Sequence, residues 1–349
     1  MKQQLEAVID RAAALPVPGL RRLTRGARAV ALVLAAVIVL LTLLGFFWNF
    51  EPGLFDIDDA VQARLPAQAE PVVGSASTSA LIETIDTMLN KRGGFLANDV
   101  LPPGAMLDNM PHWEWGVLRQ CRDFAIVLRN DFSRSQTQST EDEDLVIAET
   151  KLHIDSAAWM FPSAEAEYRD AKQALERYLA RLSSPEQTDA QFFARADNLR
   201  VWLGLVEKRL GDMSQRLSAS VGQARINTDL QGDAAAAQST ETAPVQVVKT
   251  GYFEIDDVFF ETRGSVWALI HFLKAAEKDF APVLEKKNAL VSLRQIIREL
   301  EATQEGIWSP FILNGTGFGL LANHSLVMAS YISRANAAVI DLEDLLERG

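Results

Sequence analysis

Three stretches of this chain gather residue types that can do chemistry. Glu254, Asp257 and Glu261 share one helical face at i, i+3, i+7, with Asp256 beside them. Carboxylates spaced this way can hold a hard cation or divide acid and base roles. They equally suit the start of a helix, where they favour its dipole. The second stretch runs from Phe95 to Trp115. Asn98, Asp99, Asp108, Asn109 and Glu114 stand there among prolines and glycines, beside Trp113 and Trp115. Ordered loops mixing aromatic and polar groups make recognition surfaces, and they also close the ends of helix bundles. On the recognition reading, substituting Trp113 and Asp108 weakens partner capture without unfolding the body. The third stretch, Asn314 to Gly319, has the alternating glycines of a phosphate cradle. It lacks the lysine and following Ser or Thr of a P-loop, and no strand precedes it. A turn between helices is the expectation.

Other reactive groups are sparse. His112, His153, His271 and His324 include no pair at the separation of a metal site on one helix. No nucleophile elbow or zinc-protease motif is present. Cys121 is the only cysteine and lies on the helically spaced stripe Leu118, Cys121, Ala125, Leu128, Phe132, so burial is expected. No catalytic residue, metal ligand or cofactor is assigned. The balance leans away from an enzyme.

The elements that position these groups begin with a membrane segment. Ala29 to Trp48 carries no charge, and Thr42 is its only polar side chain. Twenty such residues match the ~30 Å hydrocarbon thickness of a bilayer. Arg21, Arg22, Arg25 and Arg28 precede the run and Glu51, Asp56, Asp58 and Asp59 follow it, which places the N-terminus in the cytoplasm. The run is longer than a signal-peptide core and ends in bulky aromatics rather than a small-residue cleavage site. An uncleaved anchor is therefore expected, with the bilayer as a partner through residues 29–48. Residues 1–28 carry net +4 and the remainder −16. So acidic a body repels phosphate backbones, and nucleic acid is not an expected partner.

The rest reads as helix, with residues 1–28 as a basic cytoplasmic tail holding an amphipathic helix over 2–15. Residues 49–75, with Pro52, Pro66, Pro71 and Gly74, read as a stalk. A helical subdomain spans 76–227, in which Thr140 with Glu143 forms a capping box and Ser163 caps a further helix. Ser184, Pro185 and Gln187 read as another capped start. Ala196, Leu199, Leu203, Val206, Leu210, Met213 and Leu217 alternate spacings of three and four, a coiled-coil-like seam. An antiparallel hairpin with the seam at 168–182 is its simplest partner, and a homo-oligomer through 196–217 is the alternative. Residues 228–244 hold one large apolar residue, Leu230, and read as a flexible linker before a second subdomain, 245–349. Val245–Val248 has strand character, but one strand is not stable alone. The fold class is all-α: one N-terminal transmembrane helix followed by a large bundle of long helices, in one or two subdomains.

Three blocks resemble a bacterial family known as domain of unknown function 2333: Gly93–Phe124, Tyr252–Phe280 and Gly317–Ala338. The resemblance implies a Gram-negative inner-membrane protein with a periplasmic body, and it supplies no activity, cofactor or catalytic residue. Together these readings favour a non-enzymatic envelope scaffold or adaptor with an envelope protein as partner. The alternative is an envelope enzyme or a binder of cell-wall or lipid material, with a carboxylate-lined site.

Overall fold

Helix α1 (Arg25–Trp48) of the computed structural model is long and apolar enough to cross a membrane, and most of its side chains are exposed. Its 24 residues span about 36 Å at 1.5 Å per residue. The structure describes residues 25–65, 70–135, 140–186, 189–226, 245–307, 312, 315 and 322–348. The tail helix over 2–15, Arg21, Arg22, the segment 228–244 and most of the glycine-spaced turn, Asn314, Gly317 and Gly319 included, lie outside these residues.

The described residues form eleven α-helices and one pair of short strands, an all-α fold. After α1 come α2 (Ile57–Arg64), α3 (Ser75–Asn90), α4 (Asn109–Val127), α5 (Glu143–Leu152), α6 (Ala164–Leu182) and α7 (Ala196–Ser218). Strands β1 (Gln223–Ile226) and β2 (Val245–Val248) lead to α8 (Ile255–Asp279), α9 (Ala281–Lys286), α10 (Leu290–Ala302) and α11 (His324–Arg348).

Helix α8 is the centre of the bundle. It is buried on nearly every side from Phe259 to Ala276, the polar Glu261, Arg263 and His271 included. Its most extensive partner is α4, which runs parallel to it, and α3, α10 and α7 also pack on it. The two axes of α4 and α8 approach closely because glycines meet backbone. A Cβ on Gly264 would overlap the carbonyl oxygen of Trp113, and one on Gly116 would overlap that of Glu261. Ser265 Oγ donates to the Gly116 carbonyl at 3.1 Å within this contact. Phe124 then stacks on Phe272, with centroids 4.4 Å apart, and Cys121 is buried nearby on α4, its thiol pushed up by desolvation.

Several expectations change against this frame. The seam of α7 does not pair with 168–182. It packs on α11 in antiparallel sense, with Arg200 bridging Glu347 at 3.3 Å and Ser214 meeting the Ala329 carbonyl. Met328, Ile332, Ala335, Val339, Leu342 and Leu346 supply the facing apolar stripe. Leu199, Leu203, Val206, Leu210, Met213 and Leu217 of the seam are thus buried within one chain. Helix α6 packs instead on α5 and α3.

Residues before and after 228–244 build one hydrophobic core, so that segment does not divide the body into two packing units. The strands explain why. β1 and β2 pair antiparallel, with Gln223 opposite Val248 and Ile226 opposite Val245, which supplies the partner that β2 lacked on the sequence reading. The chain therefore leaves and re-enters the body at one place.

No free stalk follows α1 among the described residues. Ile57, Ala60 and Val61 of α2 are buried, and Asp56 caps this helix by accepting from the Asp58 and Asp59 amides. Helix α3 starts against buried Asp279, whose carboxylate accepts from Gly74 N at 2.8 Å and Ser77 N at 2.7 Å. Helix α5 is capped by Asp142, not by Thr140. Ser163 does cap α6, while residues 183–186 and 189–195 are not helical and Gln187 of the expected start at 184 lies outside the described residues.

Candidate functional site at the end of the apolar helix

Polar side chains on α8 recur at four-residue intervals: Arg263, Trp267 and His271 stand one turn apart on one face. Each grips the chain that leaves α1. The Arg263 Nε donates to both carboxylate oxygens of Glu51 at 2.8 and 2.9 Å, while Nη1 donates to the Thr303 carbonyl at 2.8 Å. The indole N–H of Trp267 donates to the Gly53 carbonyl at 3.1 Å. The Phe55 amide donates to His271 Nε2 at 3.0 Å, and the Phe55 ring stacks on the imidazole at 3.7 Å. Since Nε2 accepts, the proton sits on Nδ1 and goes to the Trp267 carbonyl at 2.7 Å. Residues 51–55 are thus clamped to the central helix rather than tethered loosely.

Burial holds the His271 imidazole neutral down to about 3, whereas in the unfolded chain it takes up a proton below about 6.5. The unfolded state binds more protons between these values, so this residue's contribution to stability falls as pH drops through that window. The limit is about 1.4 kcal/mol per pH unit. In urea unfolding, the stability advantage of the wild type over His271→Asn is expected to shrink from pH 6.5 towards pH 3. A gap independent of pH would contradict the clamp's neutral histidine.

The loop between α3 and α4 braces the same end of the body. Lys91 and Glu114 form a buried ion pair at 2.5 Å. The Glu114 carboxylate also accepts from the Leu96 and Ala97 amides, both at 2.8 Å, and Lys91 donates to the Gly94 carbonyl. Desolvation raises the Glu114 carboxyl to about 6 against the pull of Lys91 and the amides, so it is ionised at neutral pH. Arg92 lies over the rings of Phe47 and Phe50 at 4.8 and 5.6 Å, and Gly93 lies against Trp48.

The carboxylates singled out on α8 do not converge. Glu261 is buried between Arg119 and Arg216, the latter at 2.6 Å, and these guanidiniums hold its carboxyl below the usual range despite its burial. Asp257 faces His112 at 3.3 Å, and partial burial raises its carboxyl. Glu254 is exposed in a 3-10 turn ahead of α8. Among the described residues, no three His, Cys, Asp or Glu side chains meet as a metal ion would require.

The loop residues divide likewise. Trp113 is wholly buried against Trp267, so it supports the clamp from behind and offers no surface to a partner. Glu114 is the buried brace. Asn98 is buried too, donating to the Ala158 carbonyl and to Glu165. Asp99 and Asp108 are exposed, and the Asp108 carboxylate caps α4 by accepting from the Asn109 amide. Trp115 is half-buried under Arg122. Arg28 lies in the first turn of α1, the turn that Arg25 opens.

A cleft of about 940 Å³ opens beside the clamp. The end of α1 supplies Phe46 and the chain just beyond it Phe50, α8 supplies Phe260 and Trp267, and Glu51, Asp256, Glu301 and Glu305 add carboxylates. The sequence reading missed this site. Its one signal was the polar ladder of Arg263 and His271 inside an otherwise apolar helix.

The first two sequence blocks meet here, since the α4–α8 contact joins Trp113 and Gly116 to Glu261, Gly264 and Trp267. No curated protein and no solved structure matches the chain. A profile of uncharacterised proteins conserved in bacteria matches residues 22–349, nearly the whole chain. The chain belongs to that bacterial family, domain of unknown function 2333.

Proposed function

We propose that this protein is a non-enzymatic scaffold or adaptor of the bacterial cell envelope. It is anchored in the inner membrane by α1, with its N-terminus in the cytoplasm and its helical body in the periplasm. The observation that carries this reading is the clamp. An anchor that only localised an enzyme could end in a flexible linker, whereas Glu51, Gly53 and Phe55 are bonded to the central helix of the body. That arrangement presents the body at one orientation to the bilayer. It also speaks against a cleaved signal peptide, because Trp48 at the end of the span packs against the core. Arg21, Arg22, Arg25 and Arg28 support the inward N-terminus.

The partner-facing surface is assigned to the loop after α5 rather than to Trp113. Trp159, Met160 and Phe161 are exposed there in succession, Phe161 at 97%, and contiguous exposed apolar groups mark interaction sites. In-cell crosslinking of the full-length protein, followed by quantitative mass spectrometry, tests this. An envelope protein recovered in near-equal amount, and lost when these three residues are changed to serine, is the expected result. Equal recovery by the triple variant, or recovery by the anchor alone, would overturn the assignment.

The cleft favours a second reading, a binder of amphipathic lipid or cell-wall material. Its apolar lining combines Phe46 and Phe50 at the end of the span with Phe260 and Trp267 of α8, and Glu51, Asp256, Glu301 and Glu305 add carboxylates. Native mass spectrometry of the purified protein showing a bound lipid-sized adduct, lost in Phe260→Asp, would support it.

A further inference from the structure

The loop between α3 and α4 reaches further down α1 than its bracing role needs. Its contacts descend the span in order. Arg92 covers Phe50 and Phe47, Gly93 meets Trp48, and a Cβ on Gly45 would lie 3.3 Å from Pro103 and 3.6 Å from Leu107. Gly45 is four residues inside Asn49, the first polar residue after the run, so the contact lies about 6 Å below it along the helix. Gly45 is buried by this contact while its neighbours Leu43, Phe46 and Phe47 are exposed.

The tip of the loop has the composition that depth requires. Val100 to Leu107 reads VLPPGAML, eight residues without a charge or polar side chain, bounded by Asp99 and Asp108. Val100 is 58% exposed, Leu101 73% and Met106 77%. The backbone is partly closed on itself. Ala105 donates to the Leu101 carbonyl, Met106 to that of Pro103 and Leu107 to that of Gly104, and the two prolines carry no N–H. Lipid offers no partner to backbone donors, so such internal closure favours entry.

We infer that Val100–Leu107 is a second membrane contact, a loop that enters the periplasmic leaflet beside α1 and buries Leu101 and Met106 in the acyl–headgroup boundary. Continuity with the span selects lipid as the occupant: the loop already lies against a residue within the apolar run. Two contacts, one spanning and one interfacial, fix the body against tilting as well as against drifting away. Apolar groups buried ~5–10 Å deep are the usual reach of interfacial elements.

The inference rests on the reading of α1 as an anchor, and its test separates the two. The full-length protein carries an environment-sensitive fluorophore on Leu101→Cys, Met106→Cys, Val39→Cys in mid-span, or Val291→Cys, an exposed position on α10. Buried Cys121 stays unlabelled. Each variant is reconstituted in bilayer nanodiscs containing lipids with a nitroxide near the headgroup or deep in the acyl chain. Expected is loss of emission at 101 and 106 with the shallow nitroxide, loss at 39 with the deep one, and none at 291. If position 39 is quenched but 101 and 106 behave like 291, the loop inference falls and the anchor stands. Shielding of 101 and 106 from aqueous iodide without quenching by lipid nitroxide also overturns it, because protein then covers the loop. No quenching at 39 overturns the anchor and this inference together.

Discussion

Replacing Gly264 by alanine is expected to destabilise the protein by about 3 kcal/mol, the upper end of ordinary overpacking. On helix propensity alone the change would stabilise, by up to about 1 kcal/mol. The contact reverses that sign. The new Cβ would overlap the Trp113 carbonyl oxygen and lie 2.7 Å from the carbonyl carbon. Both are backbone atoms of α4, so no side-chain rotation relieves the overlap. The α4–α8 pair must part, and with it the packing of Trp113 on Trp267 and of Phe124 on Phe272. Gly116→Ala is expected to act alike through the Glu261 carbonyl, whereas Gly204→Ala on α7, with only the end of Glu343 nearby at 3.8 Å, should be neutral or mildly stabilising. Thermal unfolding of the three variants in mild detergent checks this order. Equal melting temperatures for all three would mean that the helices do not cross at these glycines.

Removing the Arg263 guanidinium is expected to cost about 3 kcal/mol, the lower end of the range for breaking a buried ion pair. The side chain of Arg263 is 6% exposed and that of Glu51 17%, so Arg263→Met leaves a mostly buried carboxylate without its partner. The loss also orphans the Thr303 and Glu305 carbonyls that the same guanidinium serves. The double variant Glu51→Gln/Arg263→Met should recover part of this stability, because the uncompensated charge is gone. A double variant as unstable as the sum of the two single ones would show that the residues do not act on each other. The functional consequence is separate from the stability. With Arg263 gone the exit segment keeps Trp267 and His271 as its hydrogen-bond partners on α8, and the orientation of the body on α1 should loosen.

Much of the architecture can be read from apolar spacing. The α1 run occurs as one helix with its apolar side chains exposed, and the stripes of α4, α6 and α7 occur as helices whose apolar faces are buried. What spacing cannot tell is which stripe meets which. The α7 seam looks like half of a local hairpin, yet its complement lies at the far end of the chain in α11. Residues 228–244 look like a boundary because they lack large apolar groups, and only the pairing of β1 with β2 shows that the chain returns to its point of departure. The site was less legible than the fold. The acids at 254, 257 and 261 share a spacing, but Glu261 answers two arginines from other helices. Trp113 looked like a contact residue because prolines precede it, and it proves to be core because Gly264 lets its backbone approach α8. The clamp is built from Glu51, Gly53 and Phe55, unremarkable in sequence, and owes its specificity to residues more than two hundred positions later.

The central claim is that the body is held at one orientation to α1, the helix proposed as its membrane anchor. The most direct measurement is the distance distribution between spin labels at Val39→Cys in α1 and Val327→Cys on the exposed face of α11, taken in bilayer nanodiscs by double electron–electron resonance. The account predicts a single narrow distance that broadens in Arg263→Met. A broad distribution with the clamp intact would contradict it, and would return residues 49–75 to the role of a flexible stalk.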